Sequence, residues 1–133
     1  MQIDLMTIVV NDYDEAIRFY VDVLGFDTVE DSASLTNDGR AKRWVVVRPP
    51  LAQTGILLAQ ADGDAQTAVV GHQTGGRVGF FLRVDDFDAT LARMLAADVE
   101  LVSVPREEHY GKVIVFCDIA GNRWDLLGPR PSD

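Results

Sequence analysis

Asp125 is the residue of this chain whose type and setting most directly suggest chemistry. It lies in the middle of the apolar run Arg123–Leu127, which follows a strand-like segment at 113–117 and a Gly-Asn turn. A carboxylate inside an apolar strand is costly unless it is paired, hydrogen-bonded or bound to a cation. Asp125 therefore faces solvent or a pocket, where it would anchor a ligand donor or act as a general base. The alternative is a structural ion pair with Arg123, which shares its face of the strand, or an interface contact.

The other side chains able to do acid–base or thiol chemistry are few. His72 and His109 are the only histidines, and both fall in predicted loops. Histidine titrates near neutral pH, but His72 has the setting of an ordinary surface residue. Tyr110 lies in the loop before 113–117, which can cover a cavity mouth in a curled sheet, so we expect it to form a wall with a polar tip. Cys117, the only cysteine, is predicted to be inert packing.

Composition narrows the class of protein. The chain has 133 residues, of which 47% are hydrophobic and 25% charged, as in an ordinary globular protein. A net charge of -9 argues against nucleic acid as a partner, because phosphate binding needs a basic face. No apolar run is long enough to span a membrane and no signal peptide is recognised, so no membrane partner and a cytoplasmic location are expected.

The order strand, helix, strand, strand, strand occurs twice, 74 residues apart. Asp12 with Glu15 forms a capping box that opens the first helix, and Gly25 ends it. We predict a first module over 1–60, a linker loop over 61–76, a second module over 77–128 and a tail over 129–133. The predicted strands are 3–10, 26–30, 43–48 and 54–59, then 78–84, 99–104, 113–117 and 123–127, with 31–41 a polar loop.

Alternation along the strands assigns their two faces. Met6, Ile8 and Val10, like Phe80, Leu82 and Val84, are uniformly apolar and should pack on the helices. The opposite faces carry Leu5, Thr7 and Val9 in the first module, and Gly79, Phe81 and Arg83 in the second. The helical residues predicted to be buried are Ile17, Tyr20, Leu24, Leu91, Met94 and Leu95.

Both modules resemble the vicinal oxygen chelate superfamily, which includes glyoxalase I, bleomycin resistance proteins and extradiol dioxygenases. The resemblance rests on Val10-Asn-Asp12, Phe19-Tyr20 and Val23-Leu-Gly-Phe26, and on the segments 80–86 and 118–126. It implies an α+β fold of two βαβββ modules, with curled, half-barrel mixed sheets around a cavity. It also implies a homodimer.

Metal enzymes of that superfamily hold a divalent ion with one residue from each of four strands. The resemblance places these positions at Leu5, within 57–59, at Gly79 and at Asp125. Three of the four therefore hold residues that cannot coordinate a metal. The sequence predicts no metal and no cofactor.

Two functions remain open. The first is a metal-independent protein that binds a planar or aromatic small molecule in the cavity. The second is an enzyme, a lyase, isomerase or dioxygenase relative, with Asp125 as catalytic residue or partial metal ligand. The predicted ligand contacts are Thr7, Trp44, Phe81, Tyr110 and Asp125; Trp44 is read as a stacking wall, with core packing as the alternative.

Overall fold

The order strand, helix, strand, strand, strand that the sequence shows twice is the architecture of the protein. The computed structural model describes residues 1–131, and the chain divides into two units, Met1–Val70 and a second from Gly71 onward. Each unit contains one unclosed, curled sheet of four strands with mixed pairing. The predicted α+β fold of two βαβββ modules is confirmed.

In the first unit the sheet order is β1-β4-β3-β2, and β1 pairs with β4 in parallel. The predicted helix start at Asp12 is confirmed, because the Asp12 carboxylate accepts a 2.8 Å hydrogen bond from the Glu15 amide, which is the N-cap bond of the predicted capping box. The elements are β1 (Leu5–Val10), α1 (Tyr13–Ile17), a π-helical segment (Arg18–Val23), β2 (Asp27–Leu35), β3 (Ala41–Arg48), β4 (Gly55–Gln60) and α2 (Asp64–Val69).

The second unit repeats this topology. Its sheet order is β5-β8-β7-β6, with β5 and β8 parallel. Asp86 caps its helix as Asp12 does in the first unit, accepting a hydrogen bond from the Ala89 amide. The elements are β5 (Val78–Arg83), α3 (Phe87–Ala96), β6 (Arg106–Glu108), β7 (Gly111–Cys117) and β8 (Arg123–Leu127).

The predicted faces hold at the centre of each sheet. Ile8, Val10 and Leu82 are buried, whereas Thr7 and Phe81 on the opposite faces are exposed. Met6 is an exception at 48% exposure, because it lies near the start of its strand. Trp124 is buried as expected and stacks on Phe80 and Phe116.

Three predictions about elements were wrong. The predicted loop 31–41 is largely strand, because β2 continues to Leu35 in register with β3. Residues 99–104 form no regular strand; Leu101 makes one isolated bridge to Phe116, and the edge strand is Arg106–Glu108. The predicted linker 61–76 contains α2.

The buried face of helix α3 in the second unit also differs from the prediction. Phe87, Thr90 and Met94 are the buried residues of α3, whereas Leu95 is 55% exposed and Leu91 half-buried. Thr90 was missed because threonine is a weak hydrophobic signal, although its spacing from Met94 is helical. In the first unit Tyr20 and Leu24 are buried as predicted, and Ile17 is half-buried.

The last two residues of the predicted tail 129–133 lie outside the described residues. Within residues 1–131, no helix is both long and apolar enough to cross a membrane.

The turn between β7 and β8 is organised by the buried carboxylate of Asp118. One oxygen accepts hydrogen bonds from the amides of Ala120, Gly121 and Asn122, at 2.9–3.0 Å. The other accepts from the Asn122 side chain at 3.1 Å and from the Trp124 indole N–H at 2.9 Å. This carboxylate therefore ties the turn to the aromatic core.

Met94→Ala should lower the free energy of unfolding by about 2–5 kcal/mol, because it removes a fully buried side chain. Leu95→Ala, one residue along the same helix, is the matched control and should change it by less than about 0.5 kcal/mol. Urea unfolding of the two variants measures the difference. Equal losses would contradict the helix register.

Asp118→Ala should lower the free energy of unfolding by about 3 kcal/mol or more, because it leaves several buried donors without an acceptor. Asp88→Ala is the control, since the Asp88 side chain is 82% exposed. A loss at Asp118 no larger than at Asp88 in urea unfolding would show that the turn does not depend on the carboxylate.

Candidate functional site

The first unit contains a pocket of about 540 Å³ at the end of its sheet. The β2–β3 hairpin, the last residues of β4 and the start of α2 form its wall. Ligand sites in proteins commonly enclose about 300–1,000 Å³, so this pocket has room for a small molecule. Its lining residues are Tyr13, Thr36, Asn37, Asp38, Arg40, Ala41, Lys42, Arg43, Trp44, Leu57, Leu58, Ala59, Gln60, Ala61, Asp62 and Gln66.

Trp44 is the predicted site residue that belongs to this pocket. It is half-buried. Val46 lies two residues further along β3, on the same face as Trp44, and pairs with Leu57. Because register partners point to the same side of a sheet, Trp44, Leu57 and Ala59 share one face. The same face carries Thr7, which pairs with Leu57 on β1 and is exposed.

A salt bridge closes the pocket wall between the hairpin and the start of α2. The Arg40 guanidinium donates to both oxygens of Asp62, at 3.0 and 2.7 Å, and to Asp38 on its own hairpin. The backbone amide of Arg40 donates to the Thr36 hydroxyl, which itself contacts Asp38. Sequence analysis missed this cluster, because the segment 31–41 was read as a loop without partners.

In the second unit, Asp125 is buried with an unsatisfied oxygen. The residue is only 6% exposed, and its Oδ1 atom has no hydrogen-bond partner among residues 1–131. Its register partners are Phe81 on β5 and Val115 on β7, so these three side chains share one face of the sheet. The alternative, an ion pair with Arg123, does not form, since Arg123 is exposed and no salt bridge joins the two side chains in the described part of the chain.

Burial raises the pKa of the Asp125 carboxyl, and the nearby Arg106 guanidinium offsets part of this rise. Arg106 also donates a hydrogen bond to Glu108 at 2.9 Å, and Asp125 Oδ1 has no hydrogen-bond partner among the described residues. Sequence analysis missed Arg106, although a basic residue in an edge strand before a hairpin is a signal that could have pointed to it.

The remaining predicted site residues have different settings. Phe81 is 64% exposed beside Asp125, an unusual state for a phenylalanine ring. Tyr110 is half-buried in the β6–β7 turn; its carbonyl accepts from Arg83, and its side chain interacts with Arg106. His72 and His109 are both exposed. Thr7 and Trp44 lie in the other unit, so a single cavity shared by all five predicted residues stays a prediction.

The resemblance assigns four positions to metal ligands, and the side chains at three of them have no donor atom. Leu5 and Leu57 or Ala59 share one face of the first sheet, and none of these side chains has a donor atom. Gly79 lies at an irregularity of the β5–β8 register, and a Cβ there would overlap the Thr74 side chain. Among the described residues, no three histidine, cysteine or acidic side chains group so that they could hold a metal ion.

The Gly79 position departs from the sequence prediction. It was assigned to the same face as Phe81 and Arg83 by strict alternation, but the irregular register at Gly79 interrupts that alternation. A histidine or glutamate at this position would have to displace Thr74, whose hydroxyl donates to the Arg77 carbonyl at 2.6 Å. In this conformation Thr74 occupies the space that a ligand side chain at position 79 would need.

Because of Asp125, the free energy of unfolding should fall as the pH rises. Its pKa in the folded protein lies above the ordinary 3.8, so the folded state holds the proton more tightly than the unfolded chain. The cost of ionising the buried group appears between 3.8 and the raised pKa, and stays at higher pH. Asp125→Asn should remove this part of the fall.

The measurement is urea unfolding at about pH 4.5 and about pH 7.5 for the wild type, Asp125→Asn and the exposed control Asp88→Asn. We expect Asp125→Asn to raise the free energy of unfolding, relative to the wild type, more at the higher pH than at the lower. Asp88→Asn should show no such difference. The same pH dependence in all three proteins would contradict the burial of an ionisable Asp125.

Comparison with known proteins identifies the family. Residues 2–126 match the model of the glyoxalase/bleomycin resistance protein/dioxygenase superfamily. An uncharacterized protein of Shewanella frigidimarina (strain NCIMB 400) is 48% identical over 123 residues, 92% of this chain and 89% of that protein. The crystal structure of UcmS2 superposes with a TM-score of 0.77 at 27% identity, covering 96% of this chain and 97% of the other.

A second solved structure is that of TnmS3, an antibiotic binding protein from Streptomyces sp. CB03234. It superposes with a TM-score of 0.74 at 29% identity and covers 97% of this chain and 96% of its own. The family model spans nearly the whole sequence, and both structures extend over both units. The chain belongs to the glyoxalase/bleomycin resistance protein/dioxygenase superfamily.

Proposed function

We propose that this protein binds a planar or aromatic small molecule without the help of a metal ion. The observation that carries the proposal is the pocket of about 540 Å³ with Trp44 in its wall. An indole face gives a large apolar contact to a flat ligand at a low cost in side-chain entropy. Leu57 and Ala59 add apolar surface, and Gln60 and Gln66 supply amide groups that can orient the ligand.

Similarity to TnmS3 supports a binding function. That protein is an antibiotic binding protein, and its fold extends over nearly all of this chain at 29% identity. A shared fold alone does not fix a function. The pocket of the first unit adds a physical reason to extend binding of an organic molecule to this chain.

The donor set supports independence from metal. A divalent ion needs several oxygen, nitrogen or sulfur ligands. At the four family positions only Asp125 offers one, and Gly79 leaves no space for another. Replacing three ligands by apolar or absent side chains removes the means of holding the ion while keeping the fold.

Asp125 has a place in this proposal as a polar anchor. Its unsatisfied oxygen can accept a hydrogen bond from a ligand N–H or O–H, and the exposed Phe81 ring beside it offers an apolar face. Thr7 and Tyr110 are proposed as further contacts. We further propose that the protein is a cytoplasmic homodimer that binds neither nucleic acid nor membrane.

The alternative function is an enzyme of the same superfamily, a lyase, isomerase or dioxygenase relative. One observation favours it: Asp125 is a buried carboxyl with a raised pKa, as general bases often are. Binding is preferred because Asp125 has no described catalytic partner, whereas the pocket requires none. Conversion of a bound ligand would establish the alternative.

The test is binding of 2-naphthamide, a neutral planar probe, together with metal analysis of the purified protein. We expect far less than one metal per chain and the same dissociation constant before and after treatment with a chelator. Trp44→Ala should weaken binding by about three- to tenfold, because it removes the stacking surface. Leu51→Ala, a fully exposed residue outside the pocket, is the control.

Stoichiometric zinc, nickel, manganese or iron that survives dialysis and involves Asp125 would overturn metal independence. Absence of binding by planar probes of any charge would overturn the binding function itself. Equal affinity of Trp44→Ala and the wild type for the probe would show that the ligand does not bind in the pocket lined by Trp44.

A further inference from the structure

Both arginines that line the first unit's pocket are held in ion pairs within the protein. Arg40 is bonded to Asp38 and Asp62, and these bonds involve both oxygens of each carboxylate. The Thr36 hydroxyl and then Arg40 lower the pKa of Asp38, and Arg40 lowers that of Asp62, so both acids stay ionised. The Arg40 guanidinium is therefore engaged by two carboxylates, and a ligand anion would have to compete with both of them for it.

Arg43 is also committed. Its guanidinium donates to Asp31 at 2.7 and 3.1 Å and to Asp14 at 2.9 Å. The same group lies 5.2 Å from the centre of the Tyr13 ring, whose hydroxyl accepts the Arg43 backbone N–H. A ligand would have to break two ion pairs to use this cation.

Lys42 is different from the two arginines. It is exposed and lines the pocket, and within residues 1–131 no carboxylate is paired with it. It precedes Trp44 by two residues on β3, so the two side chains leave the same face of the sheet, from Cα atoms about 6.6 Å apart along the strand. This arrangement suits a flat ring on the indole with a charged substituent at its edge.

We propose that this pocket selects planar aromatic molecules that carry a negative charge, with Trp44 contacting the ring and Lys42 the anionic group. The inference rests on the proposed binding function and names its ligand class. An aromatic carboxylate gains a charge-assisted hydrogen bond from Lys42. A cationic ligand of the same shape is repelled by that ammonium and would have to compete with Arg40 for Asp38 and Asp62.

The charge of the whole protein makes this local cation important. At a net charge of -9, the long-range field opposes the approach of an anion. Lys42 and Lys112 are the only lysines of the chain. Lys112 lies in the second unit, 3.6 Å from Asp88, and serves as a matched control outside the pocket.

The experiment compares three isosteric probes by calorimetry: 2-naphthoate, 2-naphthamide and 2-naphthylmethylammonium. We expect the carboxylate to bind about tenfold more tightly than the amide and the ammonium to bind most weakly. Lys42→Met should reduce the affinity for 2-naphthoate to that for the amide, while the amide affinity stays unchanged. Lys42→Arg should keep the preference, and Lys112→Met should behave as the wild type.

The outcomes separate this inference from the function on which it rests. Equal binding of all three probes, or an undiminished preference for 2-naphthoate in Lys42→Met, would overturn the charge selection and leave the binding function standing. Failure of all three probes to bind would overturn both. Lys42 is an exposed side chain, so matching circular dichroism spectra of the variants should confirm that folding is not the cause.

Discussion

Hydrogen bonding to one buried carboxylate, that of Asp118, holds together the β7–β8 hairpin on which the second unit depends. It accepts at least five hydrogen bonds from the turn and from the Trp124 indole. Trp124 in turn stacks on Phe80 and Phe116, which belong to the strands on either side. The turn, the parallel pairing of β5 with β8 and the aromatic core are therefore one connected arrangement.

Asp125 lies seven residues further along the same hairpin. Unlike Asp118, it has a carboxylate oxygen, Oδ1, without a hydrogen-bond partner among residues 1–131. Its neighbours on the sheet are Phe81 and Val115, which cannot donate hydrogen bonds, and Arg106 is engaged by Glu108. Asp118 stabilises the fold because its partners are internal. Burial raises the pKa of Asp125, so we expect this residue to lower stability once the pH rises above the ordinary value of 3.8, and such a group is a candidate for binding or catalysis.

The two units share a topology, but their surfaces have diverged. The first unit closes its hairpin against the start of α2 through Arg40 and Asp62, which encloses a pocket. The equivalent edge of the second unit is the short strand β6, whose hairpin turn holds Tyr110. The same βαβββ framework therefore supports a pocket wall with ion-paired arginines in one unit and an unsatisfied buried acid in the other.

The sequence by itself determined the repeat, the fold class and the helix cap at Asp12. These features follow from local periodicity and side-chain chemistry, which need no knowledge of distant contacts. Only the tertiary structure decided that β2 extends to Leu35, that Gly79 lies at an irregular register and that Asp125 lacks a partner. It also showed that Arg40 and Arg43 are neutralised while Lys42 is not. Pairing between residues far apart in the chain depends on how the strands and hairpins meet, and spacing along the sequence carries no information about that.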